Sequence, residues 1–200
     1  MTRFNDPDQG WPQLETADFM NVLDDIAEKT FAKNTIEGHL AALLIWHQLC
    51  EEMAKLLLKE TQFLIQLSVY PAEIEFPEKK KQPMFGQIID DLSKTISFER
   101  KEEFLNACRK LNTQRIRVVH RLTQHTSLSE VMARVGGVKS MYDQIFRIYE
   151  DAHDAFRVNF NSLAKDHIEF MEEELKIPKL IRTATRGKAA KPKVSSSARR

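Results

Sequence analysis

Apolar residues recur at helical spacing along most of the chain, and no segment alternates apolar and polar residues as a half-buried strand would. Phe19, Val22, Leu23 and Ile26 follow the i, i+3, i+4, i+7 spacing of one helix face. They predict a first helix over about 16–33, with those four side chains turned toward the core.

A second and more apolar helix is predicted from Asn34 to about Ser68. Asn34 followed by Glu37 is typical of a capping box, in which the asparagine oxygen accepts a hydrogen bond from the first turn. The apolar positions cover a wide stripe of this helix, so we expect it to lie at the centre of a bundle. These positions are Leu40, Leu43, Leu44, Trp46, Cys50, Met53, Leu57, Leu64 and Leu67.

Three prolines between residues 71 and 83 mark a loop after the second helix. A short helix is predicted over about 84–96. Ser97 is placed to cap a longer helix that runs from Phe98 to about His125.

The C-terminal part of the chain begins with a second capping-box pattern, formed by Ser127 and Glu130, and is interrupted at Gly136-Gly137. A long helix is then predicted from Ser140 to Lys176, since proline follows at 178. The whole pattern predicts an all-α fold, an up-and-down bundle of five or six helices.

Charge divides the chain into two parts. Nine of the 30 basic residues and none of the 29 acidic residues lie from Lys176 onward, which leaves a net charge of −8 on the rest. We therefore expect a loosely ordered head over 1–14, a helical bundle over 15–176 and a disordered basic tail over 177–200. The tail has three open interpretations: attraction to nucleic acid, binding of an acidic partner, or a contribution to solubility. Under the first, three of its lysines are candidate contacts to nucleic-acid phosphates: Lys188, Lys191 and Lys193.

The sequence contains neither an apolar run of membrane-spanning length nor an N-terminal signal-peptide pattern, so we expect a cytoplasmic protein without a membrane partner. Cys50 and Cys108 are embedded in helical apolar patterns, and we expect both to be reduced core residues. Glycine loops that bind phosphates or dinucleotides are absent from the sequence. No cofactor or metal is expected, because the spacing of helical metal sites is lacking around the histidines at 39, 47, 153 and 167.

The helix predicted from Phe98 carries an arginine in the middle of its apolar seam. The seam positions, three or four residues apart, are Phe104, Cys108, Leu111, Arg115, Val118 and Leu122. An arginine in a buried stripe is unfavourable unless a carboxylate, a bound anion or a partner surface satisfies it. His120, a residue type suited to proton transfer, follows five residues later, and Arg117 and Arg121 add a basic ridge.

Residues 111–120 read Leu-Asn-Thr-Gln-Arg-Ile-Arg-Val-Val-His and resemble the Leu-Asn-x-x-Arg-Asn-x-x-x-His signature of HEPN domains. The preceding segment 84–92, Met-Phe-Gly-Gln-Ile-Ile-Asp-Asp-Leu, is similar to the short helix, opening with a glycine, that often precedes that signature. The resemblance covers about 35–125.

The resemblance implies an α-helical bundle that forms a homodimer, with two Arg/His pairs sharing one cleft. Many HEPN members are metal-independent endoribonucleases, and RNA is therefore the implied partner, with an antitoxin or another protein as a further candidate. His120 would be the general acid/base at the ribose 2′-hydroxyl. Arg115 would neutralise charge on the scissile phosphate, and Asn112 would orient the pair.

Ile116 departs from the family pattern, because active members usually carry a polar residue, commonly asparagine, at that position. Three interpretations therefore stay open. The first is a ribonuclease of the toxin or defence kind, and the second is a catalytically silent module that binds nucleic acid or a nucleotide. The third is a helical protein–protein interaction subunit, in which the helix from Ser140 to Lys176 pairs with another subunit and His120 is structural. In a purely structural role, Arg115 would pair with a core carboxylate such as Glu51 or Glu52.

Overall fold

The computed structural model describes residues 11–14, 16–69, 72, 74–76 and 83–174, the last eleven of these as backbone. The chain divides into two units, Met1–Leu163 and Ala164–Arg200. The second unit is described only through the final turns of one helix. The predicted basic tail, with Lys188, Lys191 and Lys193, lies outside the described residues, as do the first ten residues and most of the proline loop.

The described residues form six α-helices and no strand: α1 (Ala17–Phe31), α2 (Ile36–Ser68), α3 (Phe85–Ser93), α4 (Lys101–Arg115), α5 (Leu128–Val135) and α6 (Val138–Glu174). A π-helical turn, Ile116–His120, continues α4, and a 3-10 turn, Leu122–Gln124, follows it. The predicted all-α helical bundle is therefore confirmed. Within the described ranges, no helix combines the length and the apolar character needed to cross a membrane.

Helix α2 lies at the centre of the bundle, as its wide apolar stripe predicted. Nineteen of its 33 residues are buried. Helices α1, α3, α4 and α5 contact it directly, and Trp46 of α2 stacks on Tyr142 of α6 with the ring centroids 5.3 Å apart. Cys50 and Cys108 are buried free thiols, and burial raises the pKa of both. A helix enclosed to this extent is stabilised mainly by tertiary packing.

The predicted buried face of α1 is wrong. Three of its four apolar residues are 59%, 52% and 43% exposed: Phe19, Val22 and Ile26. Of these four, only Leu23 packs against the core, which α1 also contacts through Met20, Phe31 and the fully buried Ala27. The helix is turned so that Asp24 accepts a hydrogen bond of 2.9 Å from the indole N–H of Trp46. The buried tryptophan would otherwise keep an unpaired donor, which is costly.

Two predicted helix starts are shifted along the chain. The cap of α2 is Thr35, whose hydroxyl oxygen accepts a first-turn backbone N–H at 3.1 Å. Asn34 instead forms the turn before it, with a φ of 53° that asparagine tolerates. Helix α4 starts after Arg100, not at Ser97. The Arg100 guanidinium binds the carboxylate of Glu103 in the first turn, at 2.8 and 2.6 Å.

The predicted capping box before α5 forms with a shift of one residue. The Ser127 hydroxyl accepts the backbone N–H of Glu130 at 3.2 Å, as expected. The Glu130 carboxylate accepts in return from the N–H of Thr126, not of Ser127, also at 3.2 Å. This backbone hydrogen bond, with contacts to His125 and Arg134, lowers the pKa of Glu130 to about 2.

A buried carboxyl group on α2 connects two other parts of the chain. The indole N–H of Trp11 donates to Glu60 Oε1 at 3.1 Å, and His153 Nδ1 of α6 lies 2.5 Å from the same oxygen. The Glu60 side chain is 0% exposed, and this desolvation raises its pKa to about 8. Trp11 also packs on Phe63 and Phe160. Trp11 and Leu14, at the end of the predicted head, therefore pack against the core.

We predict that the free energy of unfolding falls as the pH rises from about 6.5 to about 8. In this window folded Glu60 keeps its proton, whereas unfolded Glu60, with an ordinary pKa of 4.5, has lost it. Burial lowers the pKa of His153 and His47 from 6.5, so their contribution to the slope has the opposite sign and fades as the pH rises above 6.5, where the unfolded histidines lose their protons. The slope should approach about 1.4 kcal/mol per pH unit.

Urea unfolding at the two ends of that pH range measures this slope. Glu60→Gln should flatten it, because the amide oxygen still accepts from Trp11 while the titrating group is gone. Glu37→Gln removes an exposed carboxylate from the same helix and should leave the slope unchanged. A wild-type slope of zero would contradict a protonated Glu60.

Candidate functional site

The helix that carries the predicted signature widens at the signature itself. Helix α4 ends at Arg115, and the next turn is π-helical, so its backbone hydrogen bonds join residues five apart. On an ideal α-helix, five residues span about 140° of rotation, which would direct Arg115 and His120 to different faces. The wider turn brings them to the same face. Turns of this kind are rare in proteins overall, and those that occur are often found at functional sites.

The side chains of Arg115 and His120 are in direct contact. Arg115 Nη1 lies 2.9 Å from His120 Nε2. A guanidinium has only donors, so Nη1 donates and the imidazole Nε2 accepts with its lone pair. His120 is exposed, whereas Arg115 is half-buried. The predicted pair is therefore assembled in the folded chain and reaches solvent through the histidine.

No carboxylate among the described residues pairs with Arg115. Glu51 and Glu52, its expected partners in a purely structural role, bind Lys55 at 2.8 and 2.7 Å. Arg115 Nε is buried and has no hydrogen-bond partner within the described part of the chain. A half-buried guanidinium with an unused donor has the capacity to bind an anion.

Asn112 does not touch the Arg115–His120 pair. Its Oδ1 lies 3.1 Å from Nε2 of His47 on α2, so the imidazole donates to the amide oxygen. His47 is 4% exposed and packs edge-on against Phe85 of α3, with ring centroids 5.1 Å apart. The sequence predicts only that His47 holds no metal, and this contact with Asn112 was not predicted. The signal for this contact was a polar residue within the apolar stripe of α2, although its partner could not be read from the sequence.

Burial lowers the pKa of His47 despite the Asn112 hydrogen bond, and the charge of Arg115 lowers it further. His47 is therefore neutral at neutral pH and adds no positive charge beside Arg115. Its Nδ1 has no hydrogen-bond partner among the described residues. Asn112 thus connects a neutral, buried imidazole to α4 one turn before Arg115.

The two segments that carry the family resemblance are neighbours in space. Helix α3 contacts α4. A Cβ atom added at Gly86 would lie 3.8 Å from Asn112 Nδ2, which is ordinary van der Waals distance. The glycine therefore lies close to the asparagine of the signature.

The other residues of this region that were predicted to contact nucleic acid are exposed. Arg117 and Arg121 both face solvent, and Arg121 has left the helix with φ −116° and ψ 22°. The predicted continuous helix to His125 is wrong for this reason. The apolar seam also ends earlier than expected, because Val118 is 0% exposed but Leu122 is 42% exposed. Ile116, the residue that departs from the family pattern, is likewise 42% exposed.

Within the described ranges, no group of three or more His, Cys, Asp or Glu side chains is arranged to hold a metal ion. Comparisons of the chain with protein-family models, with curated proteins and with solved structures find no match. An assignment of function therefore depends on the chemistry of the site.

We predict that Asn112→Ala lowers the free energy of unfolding by about 1–3 kcal/mol, because it leaves the buried donor of His47 unpaired. Combining Asn112→Ala with His47→Leu should cost less than the sum of the single changes, since the unpaired group is then removed. Urea denaturation of the wild type, both single variants and the double variant measures the coupling. Thr113→Ala, at the exposed neighbouring position, is the control. Strictly additive losses would argue against this hydrogen bond.

Proposed function

We propose that this protein is an RNA-directed domain of the HEPN kind, and that it is a metal-independent endoribonuclease of the toxin or defence type acting at Arg115 and His120. The observation that carries the proposal is the 2.9 Å contact between these two side chains, made across five residues by the π-helical turn. The spacing Arg-x4-His is common by chance, whereas side chains assembled by a widened turn are not.

In this proposal Arg115 binds the phosphate at the cleavage point. Its planar guanidinium matches the geometry of two phosphate oxygens, and once the side chain turns from His120 to the phosphate, the Nε that is buried and unpaired in the free protein supplies one of the two donors. Partial burial strengthens the attraction, because the charges are less screened than in water. Glu51 and Glu52 do not compete for the guanidinium, since both bind Lys55.

His120 transfers the protons. In the free protein its Nε2 accepts from Arg115 Nη1, so it is not available as a base. When Arg115 turns to the phosphate, Nε2 can take the proton of the ribose 2′-hydroxyl as that oxygen attacks the phosphorus. The bond from phosphorus to the 5′ oxygen breaks, and the leaving oxygen receives a proton. The products are a 2′,3′-cyclic phosphate and a 5′-hydroxyl end.

A homodimer completes the proposed site, as the family resemblance implies. Two Arg/His pairs in one cleft would let one imidazole accept a proton while the other donates one. Exposed apolar side chains close to the pair along the chain offer surface for a second copy: Ile116, Leu122 and Leu128. The exposed Arg117 and Arg121 would contact neighbouring phosphates.

One observation favours a second candidate, a binding module without catalysis. Ile116 is exposed beside the pair and has no group that can form a hydrogen bond. A polar side chain at this position is usual in active HEPN members. A chain without such a polar side chain would still bind an anion through Arg115 but would not cleave RNA.

We predict that the purified protein cleaves RNA in excess EDTA and leaves cyclic-phosphate ends. His120→Ala and Arg115→Ala should each reduce the rate by about 10²–10⁴-fold, the range for removing a general acid/base or a charge-stabilising group. Arg109→Ala removes an exposed arginine elsewhere on α4 and should change the rate little. Sedimentation at the assay concentration gives the number of subunits.

Two outcomes of that assay contradict a nuclease that uses this pair. One is equal cleavage by the wild type and the His120→Ala variant, which would indicate a contaminant or another site. The other is no cleavage by the wild type across varied RNAs. In the second case Ile116→Asn tests the binding module, because activity gained by that change would identify Ile116 as the cause.

We predict further that the affinity for single-stranded RNA falls steeply with salt, whether or not cleavage occurs. Arg117→Ala and Arg121→Ala should each reduce the slope of log K against log salt by roughly 0.7, the value for one phosphate contact on a single strand. Fluorescence anisotropy with His120→Ala protein measures binding without cleavage. The Arg109→Ala change in the same background should leave the slope unaltered. A wild-type slope near zero would exclude binding through phosphates.

A further inference from the structure

A second candidate site lies on α1, α2 and α6, apart from Arg115 and His120. It is a cavity of about 270 Å³. Its apolar walls include Met20 of α1 and Leu49 and Met53 of α2, and one side of it is formed by α6. The volume is close to the lower end for small-molecule sites. None of the residues proposed for RNA contact lines it.

Aromatic rings form the α6 side of the cavity. We call this set the ring ladder: Tyr142, Phe146, Tyr149 and His153. Successive ring centroids are 6.0, 6.4 and 5.7 Å apart, so the rings follow one another along the helix. Aromatic faces carry negative charge density and attract cations within about 6 Å of the centroid.

Three carboxylates accompany the ring ladder, and we call them the acidic rim: Asp24, Glu150 and Asp154. Glu150 and Asp154 are exposed, and Asp24 is half-buried. No lysine or arginine is among the described residues that line the cavity. Arg157, one turn beyond Asp154 on α6, is the basic group close enough to lower the pKa of His153, but it is not a lining residue. The lining therefore disfavours anions and favours a positive charge.

The histidine of the ring ladder does not reverse this preference. His153 Nδ1 lies 2.5 Å from the buried Glu60 Oε1. Burial lowers the pKa of His153 and raises that of Glu60 to about 8, so the two groups together carry no net charge at neutral pH. The three carboxylates of the acidic rim then dominate the charge of the lining.

We propose that this cavity binds a small organic cation, an amine or quaternary ammonium compound with a compact hydrocarbon part. The charged group lies toward the acidic rim, and the hydrocarbon part packs on the ring ladder. The apolar wall and the aromatic faces distinguish this ligand from an inorganic cation, which would need more oxygen ligands. The carboxylates distinguish it from a neutral hydrocarbon.

Three probes of similar shape test the proposal on the full-length chain: 2-phenylethylammonium, 2-phenylethanol and 3-phenylpropionate. Calorimetric titration at constant ionic strength should show the cation binding at least about tenfold more tightly than the alcohol, as expected for a partly desolvated cation on aromatic faces. The carboxylate probe should not bind measurably. Equal affinity for the cation and the alcohol would overturn the proposed charge selectivity, and no binding of the cation would overturn the site.

Substitutions around the cavity test whether the cation binds there. Glu150→Gln combined with Asp154→Asn should weaken the cation about fivefold or more, in the range for two exposed charges. Asp151→Asn removes an equal, exposed charge between them on α6 that does not line the cavity, and should change the affinity little. Phe146→Leu keeps an apolar side chain without the aromatic face and should weaken the cation but not the alcohol. If the Asp151 variant loses as much affinity as the double variant, the attraction is general and the cavity is not the site.

Discussion

The bundle depends on the burial of α2, whose buried polar side chains are costly unless they have a hydrogen-bond partner. Partners from other segments include Asp24 of α1 for Trp46, Asn112 of α4 for His47, and Trp11 and His153 for Glu60. Each of these hydrogen bonds can form only when its two segments lie in one relative position. Any other position would leave a buried polar group unpaired, at a cost of about 1–3 kcal/mol. The polar residues of α2 therefore specify how its neighbours are arranged.

The position of the candidate RNA site follows from the second of these contacts. Asn112 is held by His47, and Leu111 beside it is fully buried, so the end of α4 cannot rotate freely. Val118 is also fully buried, seven residues after Leu111. The π-helical turn keeps Val118 in the core and still aligns Arg115 with His120. Helix α5 contacts this turn, and its Arg134 carbonyl accepts from Gln114, so the widened segment is supported from outside.

The sequence predicted the elements better than their contacts. The central position of α2 could be inferred because its apolar stripe is too wide for a surface helix. The face of α1 could not, since apolar residues lie on two sides of it and the choice depends on Asp24 reaching Trp46, 22 residues away. Arg115 and His120 were identified by a local motif, whereas the π-helical turn that joins them has no local signal. The partner of Asn112 is 65 residues distant and was missed for the same reason.

The two candidate sites have opposite charge: the one at the end of α4 is basic, and the cavity beside α6 is acidic. This difference matters because the residues before 176 carry a net charge of −8. Such a body repels a polyanion at long range, so the RNA binding proposed above would require a local concentration of positive groups. Arg115, with the exposed Arg117 and Arg121, provides one at the end of α4. The acidic rim beside α6 contributes three of the carboxylates that disfavour RNA elsewhere on the body. Under the two proposals, the same surplus of carboxylates would direct a polyanion toward α4 and make the cavity suitable for a cation.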